Sequence, residues 1–270
     1  MKGPRVLLEN EGKWVTDIGI AVAGKRVVFR GKDLFRELRN IRWTGLLIYG
    51  VTGRFLPENE LKLVEATWVI SVSYPDPRIW NNRIAALAGT ARSTCPLAVS
   101  AAMAATEATL YGYGAQKGAI AFLLRAQEQL DRGADLKTLV MGELRKHRRI
   151  FGYGRPQAIH GQIDERIAPL LEVAHRLELD TGPYLKLALE IDGILAKSRY
   201  GIRMTVAAVS AGLCADMGLT PEELVAGAIP AYIGGMVPCY LDALQHREGT
   251  LFPLRCSCID YRGKSSRSWD

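Results

Sequence analysis

An all-α fold is the prediction, and three features of the sequence carry it. Beyond the first thirty or so residues, nothing alternates apolar and polar residues with strand period for more than a few positions. The segment from Ile84 to Leu110 is dominated by alanine and leucine, with Gly89 and Pro96 interrupting it. Small residues at such density let helices approach closely, as in a helix buried on several sides. Finally, Thr220-Pro221-Glu222-Glu223 has the order of a helix start: a capping hydroxyl, a proline at the first helical position and acids in the first turn.

Taken in order, Lys13 to Phe29 carries β-branched residues and glycines and predicts short strands or an irregular hairpin. Lys32 to Asn40 predicts a brief helix, with Leu34, Phe35 and Leu38 at helical spacing. Trp43 to Tyr49 predicts a buried helix ending at Thr52-Gly53, and Pro57 opens the next, from about 58 to 72. That one stops before Tyr74-Pro75-Asp76-Pro77, a rigid extended connection. Gly112 and Gly114 mark a break and an expected hinge. Helices are expected to follow at about 115–131, 135–148, 163–178, 183–198, 202–217, 221–232 and 234–247.

With 270 residues the chain holds one large domain or two smaller ones, and 23% charged residues leave no room for a long disordered tract. The net charge of +7 suits a polyanionic partner, but the positive residues cluster only at Arg145, Lys146, His147, Arg148 and Arg149, and again at Arg262, Lys264 and Arg267. No helix shows the aromatic-plus-basic face of nucleic-acid recognition, so the expected partner is an anionic small molecule and not a nucleic acid. No apolar run reaches membrane-spanning length and the N-terminus lacks a signal-peptide core, which predicts a cytoplasmic protein without membrane contact. Cys95, Cys214, Cys239, Cys256 and Cys258 are scattered among apolar positions and predict reduced, buried thiols. Cys256-x-Cys258 has no second ligand pair nearby, so no metal is expected.

The stretch Ile150 to Arg166 is a Gly-rich, basic loop entering a helix. Glycines at 152, 154 and 161 let the backbone approach a ligand, and open amides with nearby arginines suit a phosphate or carboxylate. A plain connecting loop is the alternative reading of the same residues.

Several short motifs then fall into one order. Val51-Thr52-Gly53-Arg54-Phe55-Leu56-Pro57 resembles the LTGxLP turn of the citrate synthase family, and Leu110-Tyr111-Gly112-Tyr113-Gly114-Ala115-Gln116 its LHGGAN hinge. Gly152-Tyr153-Gly154-Arg155 through Asp164-Glu165-Arg166 resembles the GFGH…DPR loop, and Glu190-Ile191-Asp192-Gly193 the NVD motif. Leu254-Arg255 through Tyr261-Arg262-Gly263 is similar to the C-terminal RPRxxYxG. The chain is thereby identified as a divergent, short member of the citrate synthase superfamily, which includes citryl-CoA lyases and methylcitrate synthases. The resemblance implies a large helical domain from both chain ends (1–111 and 216–270), an inserted small helical domain (112–215), a short β hairpin near the N-terminus, and a homodimer. It implies an enzyme that makes or cleaves a carbon–carbon bond between an acyl-CoA and a small carbonyl or carboxylic substrate, with coenzyme A entering as the thioester and no metal.

That chemistry requires a carboxylate base, a donor for the enolising oxygen and cations for the keto acid. Asp192 matches the base; a helix-cap aspartate beside Gly193 is the alternative. Arg166 matches the keto-acid clamp, or else is a solvated arginine pairing with Asp164 or Glu165, and Arg255 is a second substrate-binding candidate. The Gly152, Tyr153 and Gly154 backbone matches the adenine site, with Arg148 and Arg149 near the phosphates. Departures concentrate in the keto-acid half. Tyr111 stands where the enol-stabilising histidine is expected, and Arg155 replaces the next histidine, with His160 five residues on. A third histidine has no counterpart near Tyr74-Pro75, and a late-helix arginine aligns with Gly234 or Gly235. Tyr111, Arg155 and His160 are the candidates for polarising a carbonyl. A non-catalytic CoA-binding or scaffold protein of the same fold is the competing expectation.

Overall fold

The computed structural model describes residues 4–108, 112–154, 163–250 and 255–264, with the backbone alone at 256. Helices dominate, and strand structure is confined to a small antiparallel sheet near the N-terminus among the described residues. Its order is β1 (Gly19–Val22), β2 (Arg26–Phe29) and β3 (Lys32–Asp33), with Ile20 opposite Val28 and Phe29 opposite Lys32. The hairpin expected between 13 and 29 is therefore present. The brief helix expected at 32–40 is not. Lys32 and Asp33 continue the sheet, and the Asp33 carboxylate accepts from the amides of Phe35 and Arg36 at 3.0 Å each. A side chain that satisfies those amides holds the chain in turns before a helix can propagate. A six-residue helix, α1 (Arg5–Asn10), lies where none was expected and buries nothing.

The chain divides into two compact units, the first comprising Met1–Ile70 with Ala115–Ala228 and the second Ser71–Gly114 with Ile229–Asp270. In the first unit, α2 (Trp43–Thr52) and α3 (Glu58–Ile70) join α6 (Tyr113–Asp131), α7 (Leu136–His147), α8 (Ile167–Arg176), α9 (Pro183–Ala196), α10 (Val206–Asp216) and α11 (Pro221–Gly227). One apolar core unites α3 and α6 to α11, centred on Leu63, Ile120, Leu123, Leu170, Leu185, Ile191 and Leu213, each at most 2% exposed, while α2 packs through Ile48 in a smaller cluster with Val64, Met217 and Leu219. Side chains of that size contribute roughly 1.5–3 kcal/mol apiece on burial, which is what overrides the poor helix propensity of the Ile- and Val-containing segments. Asp135 caps α7 through the Thr138 amide, and Thr220 with Glu223 forms the expected capping box on α11.

In the second unit, α12 (Ile229–Gln245) packs along α4 (Trp80–Thr90) and α5 (Cys95–Thr106). The contact is built from Ala85, Ala98 and Ala102 against Met236 and Tyr240. Small side chains bring the backbones together: a Cβ at Gly89 would lie 2.6 Å from the Tyr240 carbonyl oxygen. Arg92 closes the far end of α12 by donating to the carbonyls of Leu244 (2.9 Å) and His246 (2.7 Å).

Helix boundaries late in the chain differ from the expected ones. The break falls at Ala228, and α12 runs through Gly234, Gly235 and Pro238. Close packing along α12, not local propensity, sets its extent. Contrary to the sequence expectation, Pro221–Gln245 is long and apolar enough to cross a membrane by length and composition, at mean hydropathy 1.5 over its best window. Its α12 part, however, buries Met236, Cys239, Tyr240 and Ala243 in the second unit, as a core helix does. Among the described residues Cys95, Cys214, Cys239 and Cys258 are free but not uniformly buried: Cys239 is buried and Cys258 exposed. Burial pushes the Cys214 thiol up to about 12, which keeps it protonated and unreactive at neutral pH.

Two substitutions test the packing. Gly89→Ala places a methyl against backbone and should lower stability by about 1–3 kcal/mol in urea unfolding. Gly142→Ala, on α7 with nothing within 4 Å of the added carbon, should raise it by about 0.5–1 kcal/mol.

Candidate active site

The site is organised by Arg203, Met204, Thr205 and Val206, the extended segment that leads into α10. On one edge it pairs with the Gly-rich loop. The Gly154 amide donates to the Arg203 carbonyl (2.8 Å), the Thr205 amide donates to the Gly152 carbonyl (2.8 Å), and Tyr153 and Met204 form an antiparallel bridge between them. Gly152 and Gly154 take φ of +85° and +84°, where a side chain would be strained, and Gly152 also lies against Ala119 and Ala208. Residues 152–154 are thus backbone paired to this segment.

On its other side the segment is gripped by two carboxylates. Asp192, on α9, accepts the Met204 amide at 2.6 Å, and Arg203 donates to it from Nη2 at 2.8 Å and from Nε at 3.2 Å. Asp164 accepts the Val206 amide at 3.0 Å and a two-pronged donation from Arg166, Nε at 2.8 Å and Nη2 at 2.7 Å. Parallel charged bonds of this kind are the strongest class of side-chain hydrogen bond. Burial works to raise the Asp164 carboxyl, but the Arg166 guanidinium and the Val206 amide outweigh it and hold the group below its ordinary value. Hydrogen bonding to Asp192 in turn raises the Arg203 guanidinium above its own.

The two carboxylates differ in access. The Asp164 side chain is 1% exposed, whereas that of Asp192 is 12% exposed and its partner Arg203 30%. Asp164 is sealed and structural; Asp192 keeps an edge to the outside. Tyr153 lies buried beside it, its hydroxyl donating at 2.8 Å to the Ala188 carbonyl one turn earlier on α9. Burial, then the nearby Asp192 charge, raises that phenol well above its usual value, so it stays protonated. The Tyr153 side chain is thus part of the interior, and what this loop presents outward is backbone at the exposed Gly154.

The cationic run has a local origin. Arg145, Lys146 and His147 occupy the last turn of α7, where positive charge complements the helix dipole, and Arg148 closes the helix in a left-handed conformation with its amide on Leu144. Arg149 follows with its guanidinium 4.7 Å above the Phe151 ring. Arg148 and Arg149 are both exposed and immediately precede the Gly152–Gly154 backbone.

No family model and no curated protein matches the sequence. Solved structures do. A citryl-CoA lyase from Hydrogenobacter thermophilus matches with TM-score 0.81 at 20% identity, over 95% of this chain and 97% of that one. An ATP citrate lyase from Methanosaeta concilii, solved with (3S)-citryl-CoA, matches with TM-score 0.73 at 19% identity, over 98% of this chain but 45% of that one. The Thermoplasma acidophilum citrate synthase, solved with carboxymethyl coenzyme A and oxaloacetate, gives TM-score 0.61 at 18% identity, over 85% and 59% respectively. The chain has the citrate synthase-like fold. It spans nearly all of the citryl-CoA lyase chain and less than half of the ATP citrate lyase chain.

Within this citrate synthase-like fold, the remaining candidates fall as follows. Arg166 stands at the N-cap position of α8 without a side-chain cap, and its partly exposed guanidinium pairs with the buried Asp164 carboxylate. Arg255 belongs to the second unit and is exposed. Tyr111, Arg155 and His160 lie outside the described residues. Of the two glycines expected in place of the late-helix arginine, Gly235 has no room for a side chain, because a Cβ there would overlap the Ser73 carbonyl oxygen, whereas Gly234 is exposed and a Cβ there meets only the Val72 side chain, at 2.6 Å. Ser73 is fixed there by its amide on Ala231 (2.9 Å) and by its hydroxyl, which donates to Asn82 (3.2 Å). Arg203 escaped sequence reasoning because it belongs to no motif; its distance in sequence from Asp192 carries no periodic signal.

Because Asp164 is held below its unfolded value, near 3.9, its contribution is fully present above about pH 5 and is lost as pH falls through the lowered folded value. Asp164→Asn should therefore destabilise the protein by about 3 kcal/mol at pH 7 and flatten the acid limb of stability against pH in urea unfolding.

Proposed function

We propose that this chain is a member of the citrate synthase superfamily that makes or cleaves a carbon–carbon bond α to a coenzyme A thioester, with Asp192 as the base. One observation supports it above the others: residues 152–154, 164–166 and 192, separate in the sequence, converge on the single segment 203–206. A largely buried carboxylate that keeps some access then adjoins Gly-rich backbone that follows two arginines and is exposed at Gly154. Arg148 and Arg149 would take the phosphates of coenzyme A, and the Gly152–Gly154 backbone its adenine.

In the synthetic direction Asp192 takes a proton from the carbon α to the thioester carbonyl, and the electron pair moves onto the carbonyl oxygen. The enolate carbon attacks the carbonyl of the second substrate, for whose carboxylate Arg166 is the candidate cation on this unit. Cleavage is the reverse, with Asp192 returning the proton to the departing acyl carbon. Tyr111, Arg155 and His160 are the candidate donors to the oxygens that gain charge. Gly234 or Gly235 in place of an arginine argues for an electrophile other than oxaloacetate, because each charged hydrogen bond forgone weakens a dicarboxylate by roughly 1.5–3 kcal/mol. A homodimer in the cytoplasm completes this reading.

A second reading, a non-catalytic CoA-binding or scaffold protein, is favoured by one geometric fact: both Asp192 and Arg166 already have strong structural partners. Two measurements separate them. Calorimetry with acetyl-CoA should show binding, and deuterium from solvent should wash into the methyl group of the bound thioester. Asp192→Asn should reduce that exchange by about 100- to 10,000-fold, the usual contribution of a positioned base. Binding with no exchange by the native protein would favour the scaffold.

A further inference from the structure

Resting on that reading, we infer that Arg203 is the residue that positions Asp192 for proton transfer. Carboxylate and guanidinium meet edge to edge: Nη2 lies 2.8 Å from Oδ2, and Nε lies 3.2 and 3.3 Å from the two oxygens. The Met204 amide, one residue on, fixes Oδ1 at 2.6 Å. Two adjacent residues of one rigid segment thus set both the plane and the tilt of the carboxylate. The segment is itself pinned to residues 152–154 and, through Val206, to Asp164, so the orientation passes directly between the base and the backbone assigned to the thioester. Among the described residues, Arg203 and the protonated phenol of Tyr153 are the titratable groups facing Asp192.

The pair also differs from the one beside it. The two arginines are about equally exposed, Arg166 at 26% and Arg203 at 30%, but the Asp164 side chain is closed at 1% whereas that of the buried Asp192 keeps 12%. Arg203 thus holds the one carboxylate of the two that retains some access, which a base requires.

The test uses the full-length protein with acetyl-CoA, following deuterium wash-in at the methyl carbon alongside calorimetric binding. A misdirected base loses about 100-fold in rate, so Arg203→Gln should cut exchange by about that factor while the dissociation constant stays within about threefold. Arg203→Lys, which keeps the charge but not the planar fork, should recover roughly a tenth of the native rate. Millimolar guanidinium added to Arg203→Ala should restore exchange without changing affinity. Exchange unaltered by Arg203→Gln overturns the positioning role and leaves Asp192 as base. A loss matched by equal loss of binding, with no guanidinium rescue, also overturns it. Native protein that binds acetyl-CoA and exchanges nothing overturns the base assignment, and the role of Arg203 with it.

Discussion

The segment from Arg203 to Val206 carries no side chain that sequence inspection would choose, yet two carboxylates from different parts of the chain close on its amides. Asp192 takes Met204, Asp164 takes Val206, and each brings an arginine to neutralise it. Buried carboxylates are unfavourable unless paired and hydrogen-bonded, so each site is over-determined: amide, arginine and carboxylate must all be in place together. Because residues 152–154 pair with the outer edge of the same segment, with the Gly154 amide on Arg203 and the Tyr153 amide on Ile150, that stretch of backbone is held in place by its own hydrogen bonds.

Arginine elsewhere serves the ends of helices. Arg30 donates to the carbonyls of Gly50 and Val51 at the end of α2, Arg54 to those of Met217 and Gly218 after α10, and Arg92 to those of Leu244 and His246 after α12. These cations satisfy carbonyls that helix geometry leaves unpaired, and they account for part of the excess positive charge without any polyanion. The exposed run at the end of α7 is of the same kind in its first three residues, and only Arg148 and Arg149 continue it toward the Gly-rich loop. Net charge alone was therefore a blunt guide to what the protein binds.

The second unit shows how packing can remove chemistry. Its helices are rich in alanine and glycine and lie close enough that backbone touches backbone. At Gly235 the neighbouring chain at Ser73 occupies the volume a side chain would need. An arginine there would require the 71–77 connection to move, and that connection is held by the buried Asn81 and Asn82 through Ser73, Tyr74 and Thr106. The absence of a side chain at Gly235 is thus built into the packing of this unit.

Helix content, the N-terminal hairpin, the capping box at Thr220 and the motif order that points to the citrate synthase-like fold were legible in the sequence, because each depends on residues near one another in the chain. The segment 32–40 misled for the opposite reason: its apolar spacing was helical, but Asp33 satisfied the local amides first and the sheet took the rest. The 228 boundary and the extent of α12 were set by contacts with α4 and α5. Asp192 and Arg166 stood out in the sequence, and so did Asp164 as a neighbour that Arg166 could pair with; the partner Arg203, and the sealing of one pair more than the other, arose only when α8, α9 and the lead-in to α10 were brought together. Local hydrogen-bonding preferences are written residue by residue, whereas which charges share a low-dielectric pocket depends on the packed chain, and that is what tertiary structure alone decided.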